Sequence, residues 1–457
     1  MKENCNLIID KIYKAKCVDL NHEGLGVFKI DDFTVFSNNA LIGETAKIKI
    51  NKINSNYALA ETVEILESSP DRVTPKCKIF SDCGGCDLMH MNYKSQLEFK
   101  KNMALSTLKK IGHLENINFL GIEGASNIYN YRNKVQVPFS TANNKTICGF
   151  YKKKTHYIVP LEECFIQPNE ATDISKFIKN LCNEYKIDGY SDKNKTGIIR
   201  HVLIRKTYDN NYMVILVATT SKVPFINEIV EKIKKRYDFV SSILLNIQEK
   251  DTNVVLGDKT ITLFGKDEIT DEINGYKFKL SSNSFLQVNH EQTEKLYNIV
   301  KEFASLKNNE VLLDTYCGVG TIGITLANNA KEVYGIEIVK EAIEKAKENA
   351  LINGITNCKF FVGSAEEVIS DLNVSFDVAV FDPPRKGCDQ KFLEAIVNKR
   401  IKRIVYVSCD VATLARDLLY LKEYYNIDRV KCVDLFPNSC HVETVVAMSL
   451  DSNKHNI

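Results

Sequence analysis

The stretch EVLLDTYCGVGTIGITLA, Glu310 to Ala327, constrains this chain more than any other. An apolar run ends on Asp314, a turn carries Gly318, Gly320 and Gly323 in G-x-G-x-x-G spacing, and a helix-forming run follows. A strand feeding a helix through so tight a turn opens a parallel sheet. Downstream, EVYGIEI, KFFVG, FDVAVFDPP, IKRIVYVS, RVKCVDLFP and HVETVVAMSL read as strands between helical stretches. That alternation predicts an α/β doubly wound sheet over residues 286–457.

The glycine spacing also suits a nicotinamide dinucleotide, because Glu337 lies about 20 residues on, where a ribose-binding acid belongs. Two features favour another ligand. Asp314 precedes the glycines, where a carboxylate repels a pyrophosphate but can accompany the cationic methionine portion of S-adenosylmethionine. The sheet also runs on to a D-P-P turn at Asp382 to Pro384.

Three motifs then follow in order: FDPPRKGCD (Phe381 to Asp389), RIVYVSCDVATLARDL (Arg403 to Leu418) and LFPNSCHVETV (Leu435 to Val445). Together they resemble the RNA uracil-5-methyltransferase family, in its bacterial 23S ribosomal RNA branch with a cysteine cluster. The resemblance implies a class I S-adenosylmethionine methyltransferase sheet whose last strand, HVETVVAMSL, is an antiparallel edge. It also implies Gln287, Tyr316, Glu337 and Asp382 as cofactor contacts.

The residues suit that chemistry. Uracil carbon 5 is a poor nucleophile until a thiolate adds at carbon 6, which makes Cys409 the expected nucleophile. Cys409 ends the run IVYVS and opens the helix VATLARDLLYL, whose dipole is expected to favour a thiolate. Expelling the thiolate requires removal of the carbon 5 proton, a task for a general base, here Glu443. Asp382 is expected to reach uracil's edge as well as the cofactor, stiffened by Pro383 and Pro384. Arg385 and Lys386 are expected to meet a phosphate or enolate charge. Asp410 and Val411 depart from the family, where Asn-Pro is common after the cysteine. N-methylation at a D-P-P-aromatic site is disfavoured, since Arg385 replaces the aromatic. A non-catalytic RNA-binding assembly protein would be marked by loss of Cys409, Glu443 or Asp382, and all three are present.

The rest of the chain supplies binding modules. Residues 1–70 alternate apolar and polar positions between Gly and Asn turns, the pattern of a small β-barrel, and loosely resemble the family's RNA-binding TRAM module. SSPDRVTP (Ser68 to Pro75) reads as a linker into a central domain, 71–285. Cys77, Cys83 and Cys86 stand in C-x5-C-x2-C spacing, with Cys164 further on. Four thiolates suit either a [4Fe–4S] cluster or zinc, and the resemblance implies the cluster. The other cysteines, Cys5 among them, lack such spacing. Helical spacing marks Lys94 to Gly112, and strands are expected in NKVQVPFS, TICGFYKK, IIRHVLIRKTY, YMVILVATT, SSILLNIQEK and KTITLFG. Arg132 and Lys134, in YRNKVQVPF, are carried over from the family as RNA contacts; otherwise they read as charges on an edge strand. Phe285 reads as either a base-stacking or a core residue.

Net charge is only +2, yet residues 91–160 hold eleven Lys/Arg against three acids, a local field that attracts phosphates. No long apolar run, no signal-like start and fourteen cysteines together suggest a cytoplasmic protein with reduced thiols. The expected partner is 23S ribosomal RNA with a looped or flipped uridine; no membrane and no obligate protein partner are inferred. Transfer RNA is the alternative substrate.

Overall fold

The computed structural model describes residues 6–454, so Cys5 lies outside it. The chain packs as two compact units. One takes the chain up to Met103 with Tyr151–Thr155 and Phe436–Cys440; the other takes Ala104–Phe150, His156–Leu435 and the chain from His441. The cysteine knuckle therefore packs with the N-terminal strands, whereas the sequence reading grouped it with the central domain.

In the first unit, β1 (Ile12–Leu20), β2 (Gly26–Ile30), β3 (Phe33–Ser37), β4 (Thr45–Ile53) and β5 (Tyr57–Glu67) close into a barrel in the order β1-β2-β3-β5-β4. Period-two alternation sends Ala46, Ile48 and Ile50 inward while Lys47 and Lys49 stay outside. Closure leaves no unpaired strand edge. Glu44, fully buried, accepts from the Leu41 and Ser69 amides and pairs with Arg72 at 2.5 Å. Burial alone would raise its pKa, but these partners hold it below the usual carboxylate value. α1 (Tyr93–Gly112) begins here: Gln96 bonds the side chain and backbone of Asn438, and Lys100 donates to Phe436 O at 2.9 Å.

The second unit opens with β6 (Phe119–Glu123) and then builds a seven-stranded sheet. Its strands are β7 (Lys134–Ala142), β8 (Lys145–Tyr151), β9 (Ile158–Pro160), β10 (Ile199–Lys206), β11 (Tyr212–Ala218), β12 (Val240–Ile247) and β13 (Lys259–Gly265), ordered β13-β12-β11-β10-β7-β8-β9. α2 (Asn169–Glu184) and α3 (Ile226–Arg236) pack with one face. Val214 and Leu216 join that core, whereas Met213, Ile215 and Val217 join the core of the catalytic sheet. β11 is thus buried on both faces, which is why YMVILVA is apolar without interruption. β7 lies between β10 and β8, so Lys134 opens an inner strand and Arg132 precedes it, which sets aside the alternative reading of the two as edge-strand charges.

After the hairpin β14 (Glu268–Ile273) and β15 (Tyr276–Ser281) comes the doubly wound half. It comprises α4 (His290–Ala304), β16 (Val311–Thr315), α5 (Thr321–Leu326), β17 (Glu332–Glu337), α6 (Lys340–Ile352), β18 (Cys358–Val362), α7 (Ala365–Asp371), β19 (Val378–Phe381), α8 (Gln390–Asn398), β20 (Arg403–Ser408), α9 (Val411–Leu421), β21 (Tyr425–Val433) and β22 (Glu443–Leu450). The sheet order is β18-β17-β16-β19-β20-β22-β21-β6, with β16 to β20 parallel and β22 antiparallel to both neighbours. The expectation of β22 as an edge is corrected: β21 and then β6 lie outside it. Six consecutive buried positions in β22 fit a strand covered on both faces. Among the described residues, no helix is long and apolar enough to cross a membrane.

Candidate active site

The parallel strands all end at one edge of the sheet, and the singled-out residues sit at those ends. Asp314 and Thr315 close β16, Glu337 closes β17, Asp382 follows β19 and Cys409 follows β20. β22 runs the opposite way and begins at Glu443. Ser408 pairs with Thr444 in the β20–β22 register, so the next positions place Cys409 across from Glu443. Thiol and carboxylate therefore lie opposite each other at the end of the sheet, with Asp382 on the adjoining strand end. Glu443 is 1% exposed, and its Oε2 has no hydrogen-bond partner among the described residues. A buried acid so placed is available to a ligand.

The electrostatics differ from the helix-dipole expectation. Burial, then the nearby Glu443 and Asp382 carboxylates, push the Cys409 thiol up to about 12, against the opposing pull of Arg385. Asp410, not Cys409, occupies the end of the helix. It caps α9, its Oδ1 accepting from the Ala412 and Thr413 amides at 3.0 Å each. The helix end is thus satisfied by a carboxylate, and Cys409 lies one residue outside it. Burial, then Asp382, raise the Glu443 pKa well above the ordinary carboxylate value, with Arg385 again opposing. Burial also lifts Asp382 to about 7, against a bond from Gln287 Nε2 at 3.3 Å.

The glycine turn is built for close approach. Tyr316 (φ 59°), Gly318 (φ 54°) and Gly320 (φ 84°) are all left-handed. An ideal Cβ on Gly318 would meet nothing within 4 Å, so open space lies before that residue. The Gly318 amide donates to Glu337 Oε2 at 3.2 Å, and the Val339 amide to Oε1 at 3.0 Å. A Cβ on Gly323 would lie 2.7 Å from Asp314 Oδ2, which accepts from the Gly323 amide at 2.8 Å. Burial raises Asp314 to about 7, and Asp382 and Glu337 add to the effect. Thr315 Oγ1 is buried without a partner among the described residues. Open space, an orphaned hydroxyl and crowded carboxylates fit a polar, cationic adenosyl ligand.

Gln287 and Phe285 lie on the segment between β15 and α4. Asn133 Nδ2 donates to Gln287 O at 3.0 Å, and its amide to Val288 O at 2.8 Å. Arg205 donates to Ser282 O at 3.0 Å and to Ser284 O. Sequence reading missed these two clamps, because both act on loop carbonyls far along the chain. Phe285 is 64% exposed, so it is not a core residue. Burial, then Arg205, lower the Lys134 amine to about 7, and Arg132 Nε is buried without a partner among the described residues.

The cysteine set fits a metal centre only in part. The Gly85 amide donates to Cys83 Sγ at 3.4 Å, and a Cβ on Gly84 would lie 2.9 Å from Tyr151 O, both suiting a tight thiolate knuckle. Yet among the described residues no three His, Cys, Asp or Glu side chains are gathered to hold a metal. Cys164 belongs to the other unit.

A doubly wound sheet with this turn and these strand-end acids defines an S-adenosylmethionine-dependent methyltransferase. Residues 202–450 match the tRNA (uracil-5-)-methyltransferase family and 11–63 match the TRAM domain, and the chain belongs to that family. An uncharacterised RNA methyltransferase of Clostridium acetobutylicum is 44% identical over 95% of this chain and 96% of its own. One from Clostridium tetani is 41% identical over 99% and 100%. In three dimensions the chain is similar to the Pyrococcus abyssi tRNA (uracil-54, C5)-methyltransferase in complex with S-adenosyl-L-homocysteine. The TM-score is 0.77 at 28% identity, covering 95% of this chain and 99% of that one.

Proposed function

We propose that the protein methylates carbon 5 of a uridine in 23S ribosomal RNA through a transient bond between Cys409 and carbon 6. The observation that carries this reading is the register setting Cys409 across from Glu443 beside Asp382. Bound S-adenosylmethionine supplies an electrophilic methyl group; Asp314, Tyr316, Gln287, Glu337 and Asp382 are the residues that would hold it. Cys409 loses its proton to solvent and adds as the thiolate to carbon 6, and the electrons of the carbon 5–carbon 6 double bond move onto the carbon 4 oxygen. Carbon 5 then takes the methyl, leaving the sulfonium's electron pair on sulfur. Glu443 removes the carbon 5 proton, and its electron pair forms the carbon 5–carbon 6 double bond as the carbon 6–sulfur bond breaks to restore the thiolate. Arg385, whose charge opposes the carboxylates at both groups, favours the thiolate.

The resemblance of the cysteine set to the family's 23S branch supports ribosomal RNA, while the family description and the Pyrococcus neighbour support transfer RNA. The target would be gripped by the barrel, the basic segment, Arg132, Lys134 and the exposed Phe285, which suits base stacking. Labelled S-adenosylmethionine with unmodified 23S and transfer RNA separates the two: methyluridine confined to 23S RNA is expected, and methylation of transfer RNA alone overturns that choice. Cys409→Ala is expected to abolish transfer, and 5-fluorouridine RNA to trap an adduct on Cys409. Methylation without an adduct removes the thiol from the mechanism. On the resemblance, Cys77, Cys83, Cys86 and Cys164 are further proposed as [4Fe–4S] ligands, with zinc the less favoured occupant. Iron and zinc contents of anaerobically purified protein decide between them.

A further inference from the structure

Asp417 lies within α9, is 1% exposed, and plays no part in the chemistry above. Burying a carboxylate costs several kcal/mol unless it is fully bonded, and this one is. Its Oδ2 accepts from the Cys388 amide at 2.8 Å and from the Tyr406 hydroxyl at 2.7 Å. Its Oδ1 takes Arg416 Nε at 2.8 Å.

These bonds fasten one loop. Arg416 Nη2 donates to Lys386 O at 3.0 Å and to Cys388 O at 3.2 Å, and Thr413 Oγ1 donates to Arg385 O at 3.1 Å. Gly387 has φ 74°, and a Cβ there would lie 2.6 Å from Arg416 Nη2 and 2.7 Å from Asp417 Oδ2. The loop after Asp382 is thus held backbone group by backbone group against the helix that begins just after Cys409. Loops with no positional duty are rarely fixed so completely.

We propose that Asp417 is a positioning residue for Arg385, fixing the loop that carries it so that the guanidinium stays in range of Cys409 and Glu443. This rests on Cys409 being the nucleophile. Arg385 opposes the carboxylates at both groups, so an Arg385 free to swing away leaves the thiol harder to ionise. A purely structural Asp417 would alter stability and leave the thiol's acidity alone.

The test is the rate at which iodoacetamide alkylates Cys409 in the full-length protein, followed by mass spectrometry of its peptide from pH 7 to 10. Arg385→Ala is expected to move the profile to higher pH, about tenfold in rate at fixed pH for each unit moved. Asp417→Asn should move it in the same direction, and add less than about twofold when Arg385 is already Ala. Thr413→Val, which removes the hydroxyl's bond to Arg385 O together with its bonds to Asp410 and leaves the Asp417 contacts in place, should produce a smaller shift of the same sign and serves if Asp417→Asn does not fold. The proposal falls if Arg385→Ala leaves the profile unmoved. It also falls if both loop variants leave it unmoved, or if Asp417→Asn slows alkylation equally in both backgrounds. Methylation retained by Cys409→Ala would instead overturn the nucleophile assignment, a result the alkylation rates do not share.

Discussion

At the residue scale, the acids at the strand ends carry the sharpest consequences. Glu443→Gln keeps the shape of the side chain but cannot take a proton from carbon 5. Methyl transfer onto the ring should proceed and release should stall, with turnover falling about 10²–10⁴-fold. A covalent protein–RNA complex should accumulate on denaturing gels, and a slow variant without that complex would assign the proton to another base. Asp314 gives a stability test. Its folded pKa of about 7 lies above the unfolded value of about 3.9. The folded state therefore binds the extra proton between pH 4 and 7, so Asp314's contribution to stability is present at low pH and lost as pH rises through 7. The loss is about 1.4 kcal/mol per unit separating the two values. Asp314→Asn should flatten the fall in melting temperature between pH 5 and 8, and an unchanged slope would mean that Asp314 is ionised throughout. A cationic ligand favours the charged acids, so S-adenosylmethionine should bind more weakly as pH drops below 7, its neutral homocysteine product much less so.

At the element scale, α9 shows what could be read from the sequence and what could not. Its start was legible because strand, Cys409 and an apolar periodic run follow one another. Asp410, first read as a departure from Asn-Pro, proves to be the N-cap, a task aspartate does as well as asparagine. Asp410→Ala should cost about 1 kcal/mol in a thermal or urea melt; a loss near zero would mean water satisfies those amides equally well. Asp417 was not legible as special, although it occupies a core-facing place between Leu414, Leu418 and Leu421, where a carboxylate needs a reason. β6 was illegible on different grounds. FLGIE is short and pairs with β21 some 300 residues later, Val430 opposite Phe119, and no local pattern encodes so distant a partner. Gln287, Tyr316, Glu337 and Asp382 could be named as proposed cofactor contacts through the family resemblance, whereas Asn133 and Arg205 act through loop carbonyls that carry no sequence signature.

At the scale of the whole molecule, the decisive feature of the second unit is a strand shared by two cores. Ile215 and Val217 face the core that holds Leu312, Val380 and Val405 of the catalytic sheet, while Val214 and Leu216 face the one around α2 and α3. Neither layer can lose its packing without exposing one face of β11, and an apolar strand stripped on one side forfeits the burial that keeps it ordered. The two layers should therefore melt as one cooperative transition, and S-adenosylhomocysteine, whose proposed contacts all lie in the catalytic half, should raise that transition as a whole. Ile215→Ala removes a fully buried side chain from the catalytic side and should cost about 2–5 kcal/mol. It should also speed amide exchange in β10 and β12, although neither strand binds cofactor, and added S-adenosylhomocysteine should restore part of the protection. Two resolved transitions, with only one responding to the ligand, would mean that the shared strand does not couple the layers and that the central sheet stands on its own core.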